Sequence, residues 1–434
     1  MKASKYNMFF DYQNQKIGFN SYSREHIALD DSLYLMYESS LKTAEFHSLK
    51  SAHPTFYDFL IEKGFLVNEA EDELQKVKDL VYSIDNDESK FQLHINPTMN
   101  CNFKCWYCYE THIKDSKMDI NTIKSTVRFV ESIVKNRKGS LRHFSLDWFG
   151  GEPLLYYKKV ILPILEQAYD ICNSEGIQMS SAMTTNGLLI NSEVIQTAKR
   201  FNLSFFQITL DGHRERHDVV RFVSEGRGSY DAIVNNIKIL AQNGLEVLIR
   251  INCSPETMSD LKNIAEDFND MTDESRAFIS FDLHKVWQDI HNISDDDLYN
   301  MRWYFREQNF KVMTGSHDHV LNSCYGDHKH HATINYNGEV FKCTARDFTT
   351  SNSEGNLTDY GEIVWNEKYD KRLNSKFKNK PCLDCVILPI CNGGCSQQAI
   401  EHEGIDYCVN DFDENKKRML VINRFKEALL ENSI

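Results

Sequence analysis

From Phe91 to about Phe310 the chain alternates between two hydrophobic periods. Short stretches at 91–96, 142–149, 177–185, 204–210, 246–252 and 278–284 alternate with a period of two. Between them lie stretches of helical period, among them Asn121–Lys135, Asp231–Ala241 and Asp295–Phe310. Strand and helix in turn predict an α/β fold, with parallel strands joined by crossover helices.

The two parities of these strands differ. One carries His94 and Asn96; Asp147; Ser180, Thr184 and Asn186; Gln207, Thr209 and Asp211; Arg250 and Asn252; Ser280, Asp282 and His284. The other is mainly apolar, as in Val247, Ile249, Ile251 and Cys253. Parallel strands buried on both faces read as continuous apolar runs. A closed eight-strand barrel fills its inside with Val, Ile and Leu. A polar parity instead predicts an opened barrel lining a wet cavity. On this count Cys253 and Cys172 are expected to be core thiols.

Residues 1–90 read as a separate α+β module. Asn7–Phe10 and Ile17–Ser21 can pair as a hairpin round the polar Tyr12–Lys16 turn. A helix is expected over Leu33–Leu41, and another from His53-Pro54 to Gly64, with Phe56, Phe59 and Leu60 on one face. Phe65-Leu-Val reads as a short strand, and Leu74, Val77, Val81 and Ile84 recur at helical spacing. Residues 411–434 read as a closing helix.

Length and charge narrow the class. The chain has 434 residues, more than one core usually holds, so two or three domains are expected. A net charge of −14 argues against nucleic acid or an anionic membrane as the main partner. No apolar run is long enough to span a bilayer, and the N-terminus has no apolar signal core, so a cytoplasmic protein is expected. Its 12 cysteines are then not expected to be disulfides.

Ten of those cysteines fall in two groups. Cys101-Asn-Phe-Lys-Cys-Trp-Tyr-Cys108 gives C-x3-C-x2-C directly after the first strand. Three thiolates at such spacing can hold a four-iron cluster and leave one iron open. A zinc site is the alternative, but no matching C-x2-C pair lies nearby. The loop resembles the signature of radical S-adenosylmethionine (SAM) enzymes. That resemblance implies that the open iron chelates SAM, and that an electron from the cluster cleaves it to methionine and a 5′-deoxyadenosyl radical, which abstracts hydrogen. It also implies an open (β/α)6 partial TIM barrel over residues 91–310, the radical SAM core.

Further motifs follow at successive strand ends, where β/α folds gather their active sites. Gly150-Gly151-Glu152-Pro153 is similar to the family's GGEP motif, which binds SAM's amino group. Thr185-Asn186-Gly and Leu210-Asp211-Gly resemble segments lining the ribose and methionine. Arg221, after His217-Asp218, matches a family arginine that can pair with the SAM carboxylate. Tyr107 stands where the family has an aromatic residue near the adenine. No general base is identifiable.

The second group begins after residue 311. Cys324, Gly338 and Cys343 precede Cys382-x2-Cys385-x5-Cys391-x3-Cys395 and then Cys408. The order resembles the SPASM domain, expected over 311–410, and implies two auxiliary four-iron clusters, hence three [4Fe-4S] clusters with SAM. Cys324, Cys343 and Cys395 would bind the barrel-proximal one; Cys382, Cys385, Cys391 and Cys408 the distal one. Where some members add a further cysteine this chain has Asp318, flanked by His317 and His319.

The resemblance implies a maturase of ribosomally made (RiPP) precursor peptides that installs a thioether, carbon–carbon or ether cross-link. A low-potential donor such as flavodoxin or ferredoxin is expected. The order of elements in residues 1–90 resembles the winged-helix RiPP recognition element, which binds a leader peptide by strand addition; a cap packing on the barrel fits that order equally. An anaerobic sulfatase-maturating enzyme is the alternative. In that family an Asp follows the second SPASM cysteine, whereas Thr344 follows Cys343 here. A non-catalytic iron–sulfur protein would require broken SAM motifs, and these are intact.

Overall fold

The computed structural model of the chain describes residues 1–286, 293–313 and 323–431. Asp318 and its flanking histidines lie outside them. The chain divides into two compact units. One comprises Met1–Asp87, Gly315–Lys329 and Asp370–Ile434; the other comprises Glu88–Thr314 and His330–Tyr369. This division cuts across the boundaries read from sequence. Of the cysteine-rich region, 330–369 belongs to the strand–helix unit, while 323–329 and 370–410 belong to the unit of the N-terminal module.

The strand–helix unit is built on one large, mostly parallel sheet. Six long strands run Lys90–Ile95, His143–Trp148, Gln178–Thr185, Leu203–Leu210, Glu246–Cys253 and Ile279–Lys285, hydrogen-bonded in that order. Each neighbouring pair is parallel. Lys311–Val312 extends the far edge, and His331–Ile334 pairs in parallel with the first strand. Three antiparallel strands, Glu339–Phe341, Gly355–Leu357 and Ile363–Trp365, continue beyond it.

The parity read from sequence governs burial. On the fifth strand Val247, Ile249, Ile251 and Cys253 are buried, while Arg250 and Asn252 between them are only partly so. The helices supply the covering layer. Ile120–Asn136 starts where Asp119 accepts a hydrogen bond from the Thr122 amide at 2.8 Å. It buries Ile123, Phe129, Val130 and Val134. Each such side chain is worth roughly 1.5–3 kcal/mol, so Val130→Asp would detach this helix. Cys172 and Cys253 are buried in the same core, as expected.

In the other unit the hairpin Asn7–Tyr12/Gln15–Asn20 turns through Gln13 and Asn14, both at positive φ. A two-residue turn of that kind matches strand twist. A third strand, His26–Leu29, adds to it, followed by helices Asp31–Thr43, Phe46–Ala52, Pro54–Glu62 and Glu73–Asp85. The sheet is covered on both faces. Ile27, Leu29 and Phe65 pack with Tyr37, Phe56 and Leu60 of the helices. Phe10, Ile17 and Phe19 pack with Ile387, Ile390 and Val421 of the cysteine-rich tail. Ser21 Oγ donates to the Val386 carbonyl and Lys5 Nζ to that of Leu383. The closing helix spans Glu414–Glu431. No helix among the described residues is long and apolar enough to cross a membrane.

Candidate active site and cysteine centres

The loop after the first core strand is closed on itself. Thr98 Oγ1 donates to the Ser116 carbonyl at 2.6 Å, the Met99 amide to Ser116 Oγ at 2.9 Å, and the Ile113 amide back to Met99 at 3.0 Å. Cys101, Cys105 and Cys108 stand within this closed segment. Burial pushes the Cys101 thiol up to about 12 and the Cys108 thiol up to about 11. Thiolates here therefore need a metal's positive charge, and metal binding would release protons. Three thiols on a short loop are the donor set of a four-iron cluster with one open iron, so the residues fit that group.

The second strand's end docks on this loop. Gly150 has φ +80°, and a side-chain carbon on Gly151 would lie 2.2 Å from the Asn100 carbonyl oxygen. Only glycine permits that approach. Glu152, fully buried, donates its amide to Asn100 at 2.8 Å. Its carboxylate accepts from the Leu154 amide at 2.9 Å, Thr185 Oγ1 at 2.8 Å and the Asn186 amide at 2.8 Å. Asn186 Nδ2 in turn reaches Asn102 Oδ1 at 2.8 Å. Glu152, Thr185 and Asn186 thus join two strand ends to the cysteine loop. The carboxylate, read from sequence as able to take an ammonium group, is engaged by the protein's own donors.

Tyr107, Asp211 and Arg221 also converge. Tyr107 OH lies 2.7 Å from both Asp211 oxygens, Arg221 Nε 2.6 Å from Oδ2, and Arg221 Nη2 2.8 Å from the Tyr107 oxygen. Burial would raise the Asp211 pKa, but Arg221 and Tyr107 hold it below the usual carboxylate range. Arg221, expected to meet a ligand carboxylate, is paired with this protein carboxylate.

Further polar side chains make contacts that the sequence motifs did not include. Asn252 Nδ2 reaches Asp211 at 3.2 Å. His217 Nδ1 accepts from the Asp211 amide at 3.3 Å, with Nε2 3.1 Å from Ser229 Oγ. Burial and Arg221 lower the His217 pKa to about 4, so the ring is neutral. His94 Nδ1 lies 2.9 Å from His331 Nε2, and His94 Nε2 lies 3.6 Å from Asp147. Asn252, His94 and Asp147 stood on the polar parity, which was the available signal. Nothing local marked His331.

A second centre lies in the other unit. Cys382, Cys385, Cys391 and Cys408 line one small cavity, with Lys417 and Tyr407 on its wall. Asn379 Nδ2 donates to Cys382 Sγ at 2.9 Å and the Asn410 amide to Cys408 Sγ at 3.4 Å. Four thiols round one cavity, two already accepting hydrogen bonds, fit a four-iron cluster. Of the remaining three cysteines, Cys324 and Cys395 are exposed in this unit, and Cys343, half-buried, follows Glu339–Phe341 in the other.

Residues 95–268 match the Radical SAM superfamily. The chain carries a radical SAM domain. The chain is 23% identical over 366 residues to the radical SAM cyclopropyl synthase TigE of Paramaledivibacter caminithermalis, covering 77% of this chain and 74% of that one. It is 28% identical over 174 residues to a cysteine-type anaerobic sulfatase-maturating enzyme of Clostridium novyi, covering 39% and 45%. Among solved structures, anSMEcpe with bound AdoMet aligns at TM-score 0.59 and 17% identity over 78% of this chain and 98% of that one. Streptococcus suis SuiB bound to S-adenosylmethionine aligns at 0.55 and 16% over 94% and 98%. SuiB bound to precursor peptide SuiA aligns at 0.53 and 17% over the same shares. At these identities the likenesses establish the radical SAM α/β fold. That superfamily binds SAM at an iron–sulfur cluster.

Proposed function

We propose that the chain is a peptide maturase that abstracts hydrogen from a ribosomally made precursor and closes a thioether, carbon–carbon or ether cross-link. The observation that carries the reading is a conjunction in one chain. The Glu152 junction ties the cysteine loop to two core strands, and a small N-terminal sheet pairs, among the described residues, with no further strand. The likeness to TigE and to SuiB, whose structure includes a precursor peptide, supports it.

A four-iron cluster on Cys101, Cys105 and Cys108, with SAM at its open iron, would supply the 5′-deoxyadenosyl radical. The chain's own residues would bind and orient. Gly150 and Gly151 keep side chains out of the space beside the loop. Tyr107, Glu152, Thr185, Asn186, Asp211 and Arg221 would form the SAM wall. The polar strand parity, in an open partial barrel, would hydrogen-bond the peptide. The leader would add as a further strand along His26–Leu29. The two remaining cysteine sets would each hold an auxiliary cluster, making three. Flavodoxin or ferredoxin in the cytoplasm would be the electron source.

The sulfatase-maturating reading is weaker. Thr344 stands where that family has its Asp, and its carbonyl accepts from Tyr109 OH at 2.7 Å. Asp347 is held by the Thr111 amide at 2.8 Å and hydroxyl at 2.5 Å.

The test is anaerobic reconstitution with SAM, dithionite and the short peptides encoded beside the gene. We expect 5′-deoxyadenosine and a peptide lighter by two hydrogen atoms. Turnover of a sulfatase-derived peptide instead would decide for the second reading, and no 5′-deoxyadenosine under any condition would refute both.

A further inference from the structure

The helix Glu414–Glu431 opens just after Cys408, and its first turn carries a lysine that local rules disfavour. A cation there faces the positive end of the helix dipole. A buried ammonium also costs free energy unless an anion meets it. Lys417 meets both conditions: it is 8% exposed, and it lines the four-cysteine cavity. Its carboxylate partner, Glu414 at 2.6 Å, has a side chain 74% exposed, and a pair so open to water is a weak counterpart for a buried charge. A lysine kept against local preference points to a buried anion as its counterpart.

We propose that Lys417 sets the reduction potential of the iron–sulfur cluster held by Cys382, Cys385, Cys391 and Cys408, holding it more positive than the cysteines alone would. The inference rests on reading that cavity as an iron–sulfur site. A thiolate-ligated cluster is anionic and gains one more negative charge on reduction. A fixed positive charge in a low-dielectric wall therefore stabilises the reduced state more than the oxidised one. The hydrogen bonds from Asn379 to Cys382 and from the Asn410 amide to Cys408 act in the same direction. Each cross-link closed would release one hydrogen atom to the deoxyadenosyl radical, one proton and one electron. A cluster poised in this way would suit uptake of that electron.

The test uses the full-length chain carrying Cys101→Ala, Cys105→Ala and Cys108→Ala, reconstituted anaerobically with iron and sulfide and titrated potentiometrically by electron paramagnetic resonance. We expect Lys417→Met to lower the reduced-to-oxidised ratio of one cluster at least tenfold at the parent's midpoint, a shift of about 59 mV for a one-electron couple. Lys417→Arg should stay within threefold of the parent. Glu414→Gln, on an exposed side chain, should move the same signal the opposite way, because it removes the carboxylate that competes for the ammonium. Should Lys417→Met lose its iron, the Glu414→Gln shift decides. Unchanged midpoints with iron intact would overturn the inference while leaving the cluster assignment standing. A parent whose signals all survive replacement of Cys382, Cys385, Cys391 and Cys408 by Ala would overturn both.

Discussion

A single carboxylate does much of the joining at the site. Glu152 accepts three hydrogen bonds from two strand ends, and its amide holds the cysteine loop. Glu152→Ala would orphan three buried donors, each costing about 1–3 kcal/mol. We expect the variant to melt well below the parent and to bind SAM at least tenfold more weakly, read by calorimetry. A parent-like affinity would show that the junction is dispensable. His217 makes a second prediction. Its folded pKa, about 4, is below the unfolded value of about 6.5, so its contribution to stability is present above pH 6.5 and is lost as pH falls toward 4. Between pH 7 and pH 5 the parent should lose about 2 kcal/mol more than His217→Gln. Equal losses in denaturant melts would remove His217 from the account. At this scale the contiguous motifs were legible, because each needs a special backbone: Gly150 at positive φ, Gly151 against a carbonyl. The partners of Arg221 and the His94–His331 contact were not, since each joins residues far apart in the chain.

At the scale of elements, the core strands begin and end within a residue of where period-two alternation puts them, because burial of one parity fixes both register and length. Two elements of the first unit escaped. The strand His26–Leu29 follows Arg24 at positive φ and is too short to show alternation. The helix Phe46–Ala52 buries only Phe46 and Leu49, too few for a period. That third strand changes how peptide binding is best tested. Deleting residues 1–88 would strip the cysteine tail of the apolar face it packs on. A point change is cleaner. Ala28 is exposed on that edge strand, and Ala28→Pro should weaken leader-peptide binding at least tenfold by fluorescence anisotropy, because proline disrupts edge pairing. SAM cleavage without peptide should stay as in the parent. Unchanged affinity would exclude this edge.

For the whole molecule, the sequence suggested domains laid end to end, but the compact units are assembled from separated segments. Hydrophobic periodicity reports a residue's own element and carries no information on which distant segment covers it. The cysteine tail is therefore not an appendage. Ile387 and Leu388, between Cys385 and Cys391, fill the floor under Phe10, Phe19, Tyr6 and Val77. Replacing Cys382, Cys385, Cys391 and Cys408 by Ala should loosen that floor. Amide exchange in Asn7–Tyr12 and Gln15–Asn20 should then speed up at least tenfold, with the core strands unchanged. Protection equal to the parent's would show that the module folds without its tail.

That shared floor also bears on how the protein is made. Phe10, Ile17 and Phe19 leave the ribosome about 400 residues ahead of Val421, which covers them. At roughly 5–20 residues per second the hairpin's apolar face waits on the order of 20–80 s for its cover. Stalled nascent chains ending before residue 380 should accordingly recruit general chaperones through the N-terminal hairpin, and full-length chains released from the ribosome should not.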